Sequence, residues 1–383
     1  MTTATPTTSH DPSSLPLPSP SLSKTKIHIL PTTAQTFIES LLIANSVPPT
    51  NATIIARALV LADLRGVDTH GMNRIPSYLE RIRQGVLDPR AEPVVKQVTP
   101  VVVSVDGKNG FGFLGAEGGM KACIEMAKVY GIGMASIKHS NHFGMSAWLV
   151  QRALDEGLMS LVFTNSSPAL PVWGGREKLM GVSPIACGAP GPTSGPFAGK
   201  DFILDMAPSI AARGKIYKAL RRGEKIPKEW ALDKDGHPTE DPAKALEGVM
   251  LPMGGPKGSA LAVMMDVFSG VLSGSAFAGG VTGPYDASRP ADVGHFLVAI
   301  RPDLFLDGGE GEFRERMGTL YGKVVGCERM EGVEQIWFPG EIEMVCAEER
   351  RKMGIPFVEA EVEALNREAE RVGVPPIEIM ARE

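Results

Sequence analysis

Val101-Val-Val-Ser-Val-Asp-Gly-Lys-Asn-Gly-Phe-Gly-Phe-Leu-Gly115 runs from a β-branched strand, through a turn, into a glycine-spaced helix start. Gly110, Gly112 and Gly115 match the GxGxxG pattern that lets backbone approach a dinucleotide pyrophosphate. The rest of that fingerprint is missing. An acidic residue should close the next strand, about 20 residues on, to hold the ribose hydroxyls. Lys138-His139 stands there instead. The turn Asp106-Gly-Lys-Asn109 also separates the strand from its glycines and spoils the tight strand-to-helix junction. The segment therefore reads as a glycine-rich turn beside a cleft, and a classical doubly wound dinucleotide fold is disfavoured.

Working outward, helix and strand patterns alternate on the C-terminal side. Ala116–Val129 has helical spacing, Gly133–Ile137 reads as strand, Ser146–Leu154 as helix and Met159–Phe163 as strand. Phe202–Asp205 and Phe296–Ile300 are further strands, Ile210–Leu220 a helix, and Gly258–Leu272 a long apolar helix. Upstream lie three helical patterns, Thr33–Ala44, Ala52–Leu64 and Gly71–Gln84, and charged helices fill much of the last seventy residues. This is an α/β core with helical parts from both termini packing as a second unit.

Composition narrows the classes. The 383 residues suggest two or three domains at ~150 residues each, and 43% apolar with 22% charged is an ordinary globular mixture. No apolar run approaches the ~18 residues of a membrane span. A net charge of −5 without a basic stripe argues against nucleic acid. Cys123, Cys187, Cys327 and Cys346 have no close pair and read as buried thiols in a reducing compartment, which suggests a cytoplasmic protein. From Thr2 to Thr25, 17 of 24 positions are Ser, Thr or Pro. This tail reads as disordered; its hydroxyl content admits organelle targeting, although it contains no arginine.

Three clusters could carry chemistry. In Asp68-Thr-His-Gly71 with Arg74, a helix starting near Thr69 puts His70 and Arg74 four apart on one face. Arg74 could then hold a carboxylate while His70 exchanges a proton with the neighbouring oxygen. The competing reading is a capped helix start facing solvent. His139-Ser-Asn-His142-Phe-Gly-Met-Ser146 has two histidines three apart but lacks a third metal ligand, so it reads as a cleft-edge loop and no metal is expected. Gly254-Gly-Pro-Lys257-Gly-Ser259 places glycines and a lysine at a helix start, a natural anion cradle but not a Walker loop.

Taken together, these segments resemble the malate/L-lactate dehydrogenase family that is distinct from the Rossmann-type enzymes. The carriers are Ala62-Asp-Leu-Arg-Gly-Val-Asp-Thr-His-Gly71 with Arg74, Asn109-Gly-Phe-Gly112, His139-Ser-Asn-His-Phe-Gly144, Asp205-Met-Ala207, Gly255-Pro-Lys-Gly258 and Phe338-Pro-Gly-Glu341. The resemblance implies a mixed, largely antiparallel, non-Rossmann cofactor-binding sheet, a homodimer, and NAD- or NADP-dependent interconversion of small 2-oxo and 2-hydroxy acids. It divides the chain into a tail (1–30), a helical part of the substrate domain (31–90), a cofactor-binding α/β domain (91–330) and a returning helical part (331–383).

The resemblance makes His70 the proton donor, Thr69 its hydroxyl partner (usually serine in the family) and Arg74 the substrate arginine. His142 is a second claimant to the proton-transfer role. Cofactor contacts are implied for His142, Phe143, Gly144, Met145 and Ser146, and for Ser166. Asp205, Met206, Ala207, Pro256, Lys257, Pro339, Gly340 and Glu341 complete that set. Val182 and Lys215 stand where cyclic-imine reductases of the family carry a threonine and an aspartate, which counts against an imine 2-carboxylate substrate. A metabolite-binding homologue without catalysis is the other alternative, and the retained His70, Arg74 and Lys257 count against it.

Overall fold

A computed structural model describes residues 26–382; the Ser/Thr/Pro-rich stretch before them lies outside the described residues. Residues 26–29, within the 1–30 stretch assigned to the tail, form a strand. The first strand, β1 (Lys26–Ile29), pairs antiparallel with β13 (Ile355–Val358) and β14 (Ala381–Arg382), so the two ends of the described chain meet. Between β1 and the first turn of the site run α1 (Pro31–Ala44) and α2 (Pro49–Leu64). Each has proline in its first turn, where the missing N–H costs nothing. Ile55 and Leu59, one turn apart on α2, are fully buried, each worth about 1.5–3 kcal/mol of apolar transfer.

The helix expected over Gly71–Gln84 is broken. Two 3₁₀ turns, Asp68–His70 and Met72–Arg74, precede α3 (Ile75–Arg83). Gly71 lies between them, so His70 and Arg74 are not four apart on one α-helix. α10 (Glu341–Met353) packs on α2, and its Arg350 pairs with Asp68, tying the C-terminal part to these turns. α11 (Glu359–Arg371) packs on α3.

The central sheet has seven strands in the order β2 (Val94–Thr99), β3 (Val102–Asp106), β4 (Ile132–Ser140), β12 (Val293–Ile300), β5 (Met159–Thr164), β8 (Ile185–Ala189) and β9 (Phe202–Met206). Only β3 and β4, joined through α4 (Gly112–Tyr130), are parallel; every other neighbouring pair is antiparallel. α4 and α5 (Ala147–Leu154) cover the sheet, and one apolar core runs from them into α1, α2 and α11.

A smaller apolar core joins the ribbon β6 (Pro168–Leu170)–β7 (Met180–Gly181) to the ribbon β10 (Ala231–Leu232)–β11 (Val249–Met250). α6 (Arg213–Arg222), α7 (Pro242–Glu247) and α8 (Pro256–Asp266) contribute to it. The long apolar helix expected to Leu272 is α8 followed by a π-helical turn, Val267–Val271. α9 (Gly309–Val325) packs Met317 and Tyr321 near Phe338. The cysteines are not uniformly buried: Cys123 is, Cys187 and Cys346 are partly so, and Cys327 is exposed. Among the described residues, no helix is long and apolar enough to cross a membrane and no three ligating side chains gather for a metal.

Candidate active site

The site is built on a carboxyl group that the sequence reading passed over. Asp63 continues the buried stripe of α2 one turn beyond Leu59 and has no exposure. Its Oδ2 accepts the Met72 N–H at 2.8 Å, and burial pushes its pKa well above the usual value. A Cβ on Gly71 would lie 1.8 Å from Asp63 Oδ1. Only glycine lets the chain pass here, and that close passage separates the two 3₁₀ turns.

Thr69, His70 and Arg74 are held by these turns. Thr69 Oγ1 and His70 Nδ1 are 3.0 Å apart. Arg74 Nε donates to the Thr69 carbonyl at 2.6 Å, and its Nη1 donates to the Tyr285 hydroxyl at 3.1 Å, with the guanidinium over that ring. Two of the five guanidinium N–H groups are spent, so the remaining Nη hydrogens can take a carboxylate. Burial, then the Arg74 charge, lowers the His70 pKa to about 3. His70 is therefore a neutral base at ordinary pH.

His142 joins this cluster. Its ring stacks on His70 with centroids 5.4 Å apart, and its Nδ1 lies 2.6 Å from the Tyr78 hydroxyl. Burial, then the Arg74 charge, His70 and the buried His295 of β12 hold its pKa well below the usual value, so it is neutral too. The glycine-rich turn supports the loop that carries it. Asn141 Nδ2 donates to the Gly110 carbonyl at 2.8 Å, and a Cβ on Gly112 would lie 1.9 Å from the Asn141 carbonyl oxygen. Gly110 and Gly112 thus pack the start of α4 against the His142 loop. His139 points elsewhere, to Asp106 at 3.2 Å.

The residues assigned to cofactor fall into four places. Phe143, Met145 and Ser146 are buried beyond His142, and Gly144 takes φ +80° beside Phe113. The Ser146 hydroxyl is buried with no hydrogen-bond partner among the described residues. Asp205 abuts this loop: its Oδ2 accepts the Ala147 N–H at 2.7 Å. It caps the start of α5, with Met206 and Ala207 partly buried after it. Ser166 Oγ accepts the Ser183 N–H at 3.1 Å.

Pro256 and Lys257 open α8, whose first turn has no acidic residue. Lys257 is exposed and makes no ion pair among the described residues. Glu341 is 4% exposed and accepts from Lys200 Nζ (2.9 Å), the Tyr321 hydroxyl (2.7 Å) and the Phe338 N–H (2.8 Å). With its carboxylate spent internally, Glu341 holds Pro339 and Gly340 against β9, where Ile203 N–H donates to the Pro339 carbonyl at 3.1 Å.

A family model described as malate/L-lactate dehydrogenase matches residues 29–366. The chain belongs to that family. It is 37% identical over 309 residues to the L-sulfolactate dehydrogenase of Methanocaldococcus jannaschii, covering 80% of this chain and 85% of that one. It is 33% identical over 351 residues to the malate dehydrogenase of Pyrococcus abyssi, covering 90% and 94%. The solved sulfolactate dehydrogenase structure from M. jannaschii superposes with a TM-score of 0.86 at 32% identity, covering 93% of this chain and all of that one. Membership makes the chain an NAD(P)-dependent oxidoreductase of a small 2-hydroxy or 2-oxo acid.

Three contributors escaped the sequence reading: Asp63, Tyr78 and Tyr285. An acid on an otherwise apolar helical stripe was a usable signal for Asp63, and Tyr78 lies one helical turn beyond Arg74. Tyr285 gave none, being 211 residues from the side chain it touches.

Proposed function

We propose that the protein oxidises a malate- or lactate-like 2-hydroxy acid, and reduces the matching 2-oxo acid, through Thr69, His70 and Arg74. One observation carries this: a neutral imidazole and a guanidinium with unspent donors are bound together through Thr69. Arg74 grips the substrate carboxylate, which fixes the adjacent carbinol near His70. His70 removes the hydroxyl proton as the C–H hydride leaves, and Thr69 steadies the imidazole through Nδ1. In the reverse direction His70 must carry a proton. A bound carboxylate favours this by offsetting the Arg74 charge, one of the two causes that hold the imidazole neutral.

The residues present suit a nicotinamide dinucleotide. Lys257 offers an ammonium unpaired among the described residues, beside helix N–H groups, for phosphate, and the Ser146 hydroxyl, without a partner among those residues, lies in the loop next to His142. When bound, the nicotinamide supplies the hydride acceptor. Val182 and Lys215, in place of the imine reductases' threonine and aspartate, favour the hydroxy-acid reading.

The test is a panel of lactate, malate, 3-sulfolactate and ureidoglycolate with NAD and with NADP, followed by nicotinamide absorbance. Turnover of at least one acid is expected. Arg74→Lys should raise its KM by about tenfold or more, because a point charge cannot reproduce the guanidinium fork. Absence of turnover on the panel, or equal impairment of uncharged carbonyl analogues, would overturn the reading.

A further inference from the structure

His142 is anchored through Nδ1. The Tyr78 hydroxyl lies 2.6 Å from that nitrogen, and the Gly144 backbone N–H donates to it across 3.2 Å. An amide N–H can only donate, so Nδ1 is the acceptor. A neutral imidazole accepting at Nδ1 carries its one proton on Nε2. The Tyr78 hydroxyl therefore donates as well. Tyr78 is 2% exposed, and edge contacts with Phe111 and Phe113 (centroids 5.9 and 6.1 Å) fix its ring. Nε2–H makes no hydrogen bond among the described residues.

We propose that Tyr78 is a positioning residue that locks His142 as the Nε2–H form, so His142 donates a hydrogen bond to a substrate oxygen and leaves proton removal to His70. The proposal rests on the dehydrogenase reading and divides labour between its two histidines. In oxidation the hydroxyl proton passes to His70, a bound nicotinamide would take up the hydride, and His142 ends with the proton it began with. Charge supports the division. The two rings stack at 5.4 Å beside Arg74, and a second imidazolium there would add a third positive charge to a half-buried cluster.

Two measurements test it. Proton–nitrogen correlation spectra of ¹⁵N-histidine protein, assigned with His142→Gln, read the tautomer without needing activity. A pyridine-type Nδ1 and a pyrrole-type Nε2 are expected for His142, and Tyr78→Phe should shift that Nδ1 signal. A wild-type Nδ1–H form would overturn the lock. Kinetically, the glutamine amide of His142→Gln offers an N–H near Nε2 but no titrating group. It should keep kcat within about tenfold of wild type, while His142→Ala loses about 10²–10³-fold, the usual loss for a donor at a reacting oxygen. If His142→Gln falls as far as His142→Ala, His142 moves the proton and the division fails. If the wild type turns over no 2-hydroxy acid, the dehydrogenase reading fails, and the spectrum alone decides the lock.

Discussion

Gly71 fixes the distance between the two functional side chains by having none of its own. Its Cα passes so close to Asp63 that a methyl group would lie 1.8 Å from the carboxyl oxygen. The buried Asp63 carboxyl or the backbone must move if anything is added. Gly71→Ala should therefore cost about 3 kcal/mol or more, in the class of buried steric conflicts, and should lower kcat/KM steeply; urea unfolding and steady-state rates check both. Asp63→Asn keeps an oxygen for the Met72 N–H and adds no buried charge, so it should be far milder than Asp63→Ala. Equal damage from the two would remove Asp63's accepting role. At this scale the sequence was partly readable. His70, Thr69 and Arg74 stood out by residue type, and the structure brings them together. Their supposed helical spacing did not survive, because propensity does not report a glycine forced against a distant carboxyl group.

α3 shows how an element completes what its residues begin. Ile75, Tyr78 and Leu79 bury one face, and Arg81, only 2% exposed, continues it. Arg81 donates to the carbonyls of Gly283, Asp286 and Arg289, pinning the loop that lays Tyr285 against Arg74. Arg81→Met should release that loop while sparing the apolar stem packing. The expected result is a rise of about tenfold in substrate KM, equivalent to ~1.4 kcal/mol, with a smaller change in kcat. An unchanged KM would show that Tyr285 does not steady Arg74. Helical periodicity located α3, but no local pattern could reveal a partner loop some 200 residues away.

At the scale of the molecule, alternating helix and strand patterns are equally compatible with a parallel sheet. The pairs β2–β3, β5–β8 and β8–β9 are antiparallel between strands near in sequence, and β12 adds two more antiparallel pairs by entering between β4 and β5 from more than a hundred residues downstream. Family resemblance supplied the mixed, largely antiparallel character but not the strand order; periodicity could supply neither, since strand pairing leaves no local trace. β12 also carries His295, fully buried between Ser140 and Thr164, with 2.8 Å contacts on both ring nitrogens and its ring against Phe143. Burial lowers its pKa to about 3. Below the unfolded value near 6.5, the unfolded chain takes up a proton that the folded chain refuses, so this site loses stability as pH falls from 6.5 toward 3. Relative to His295→Asn, wild-type stability should fall by about 1.4 kcal/mol per pH unit in that window, read from paired urea titrations. A pH-independent difference would mean that His295 titrates normally. The most direct test of the central claim is the single-turnover rate of hydride transfer from an active 2-hydroxy acid, in wild type and in His70→Ala, each saturated with cofactor. Loss of general base catalysis predicts a fall of about 10²–10⁴-fold with cofactor affinity unchanged; a fall of less than tenfold would contradict the assignment of the proton to His70.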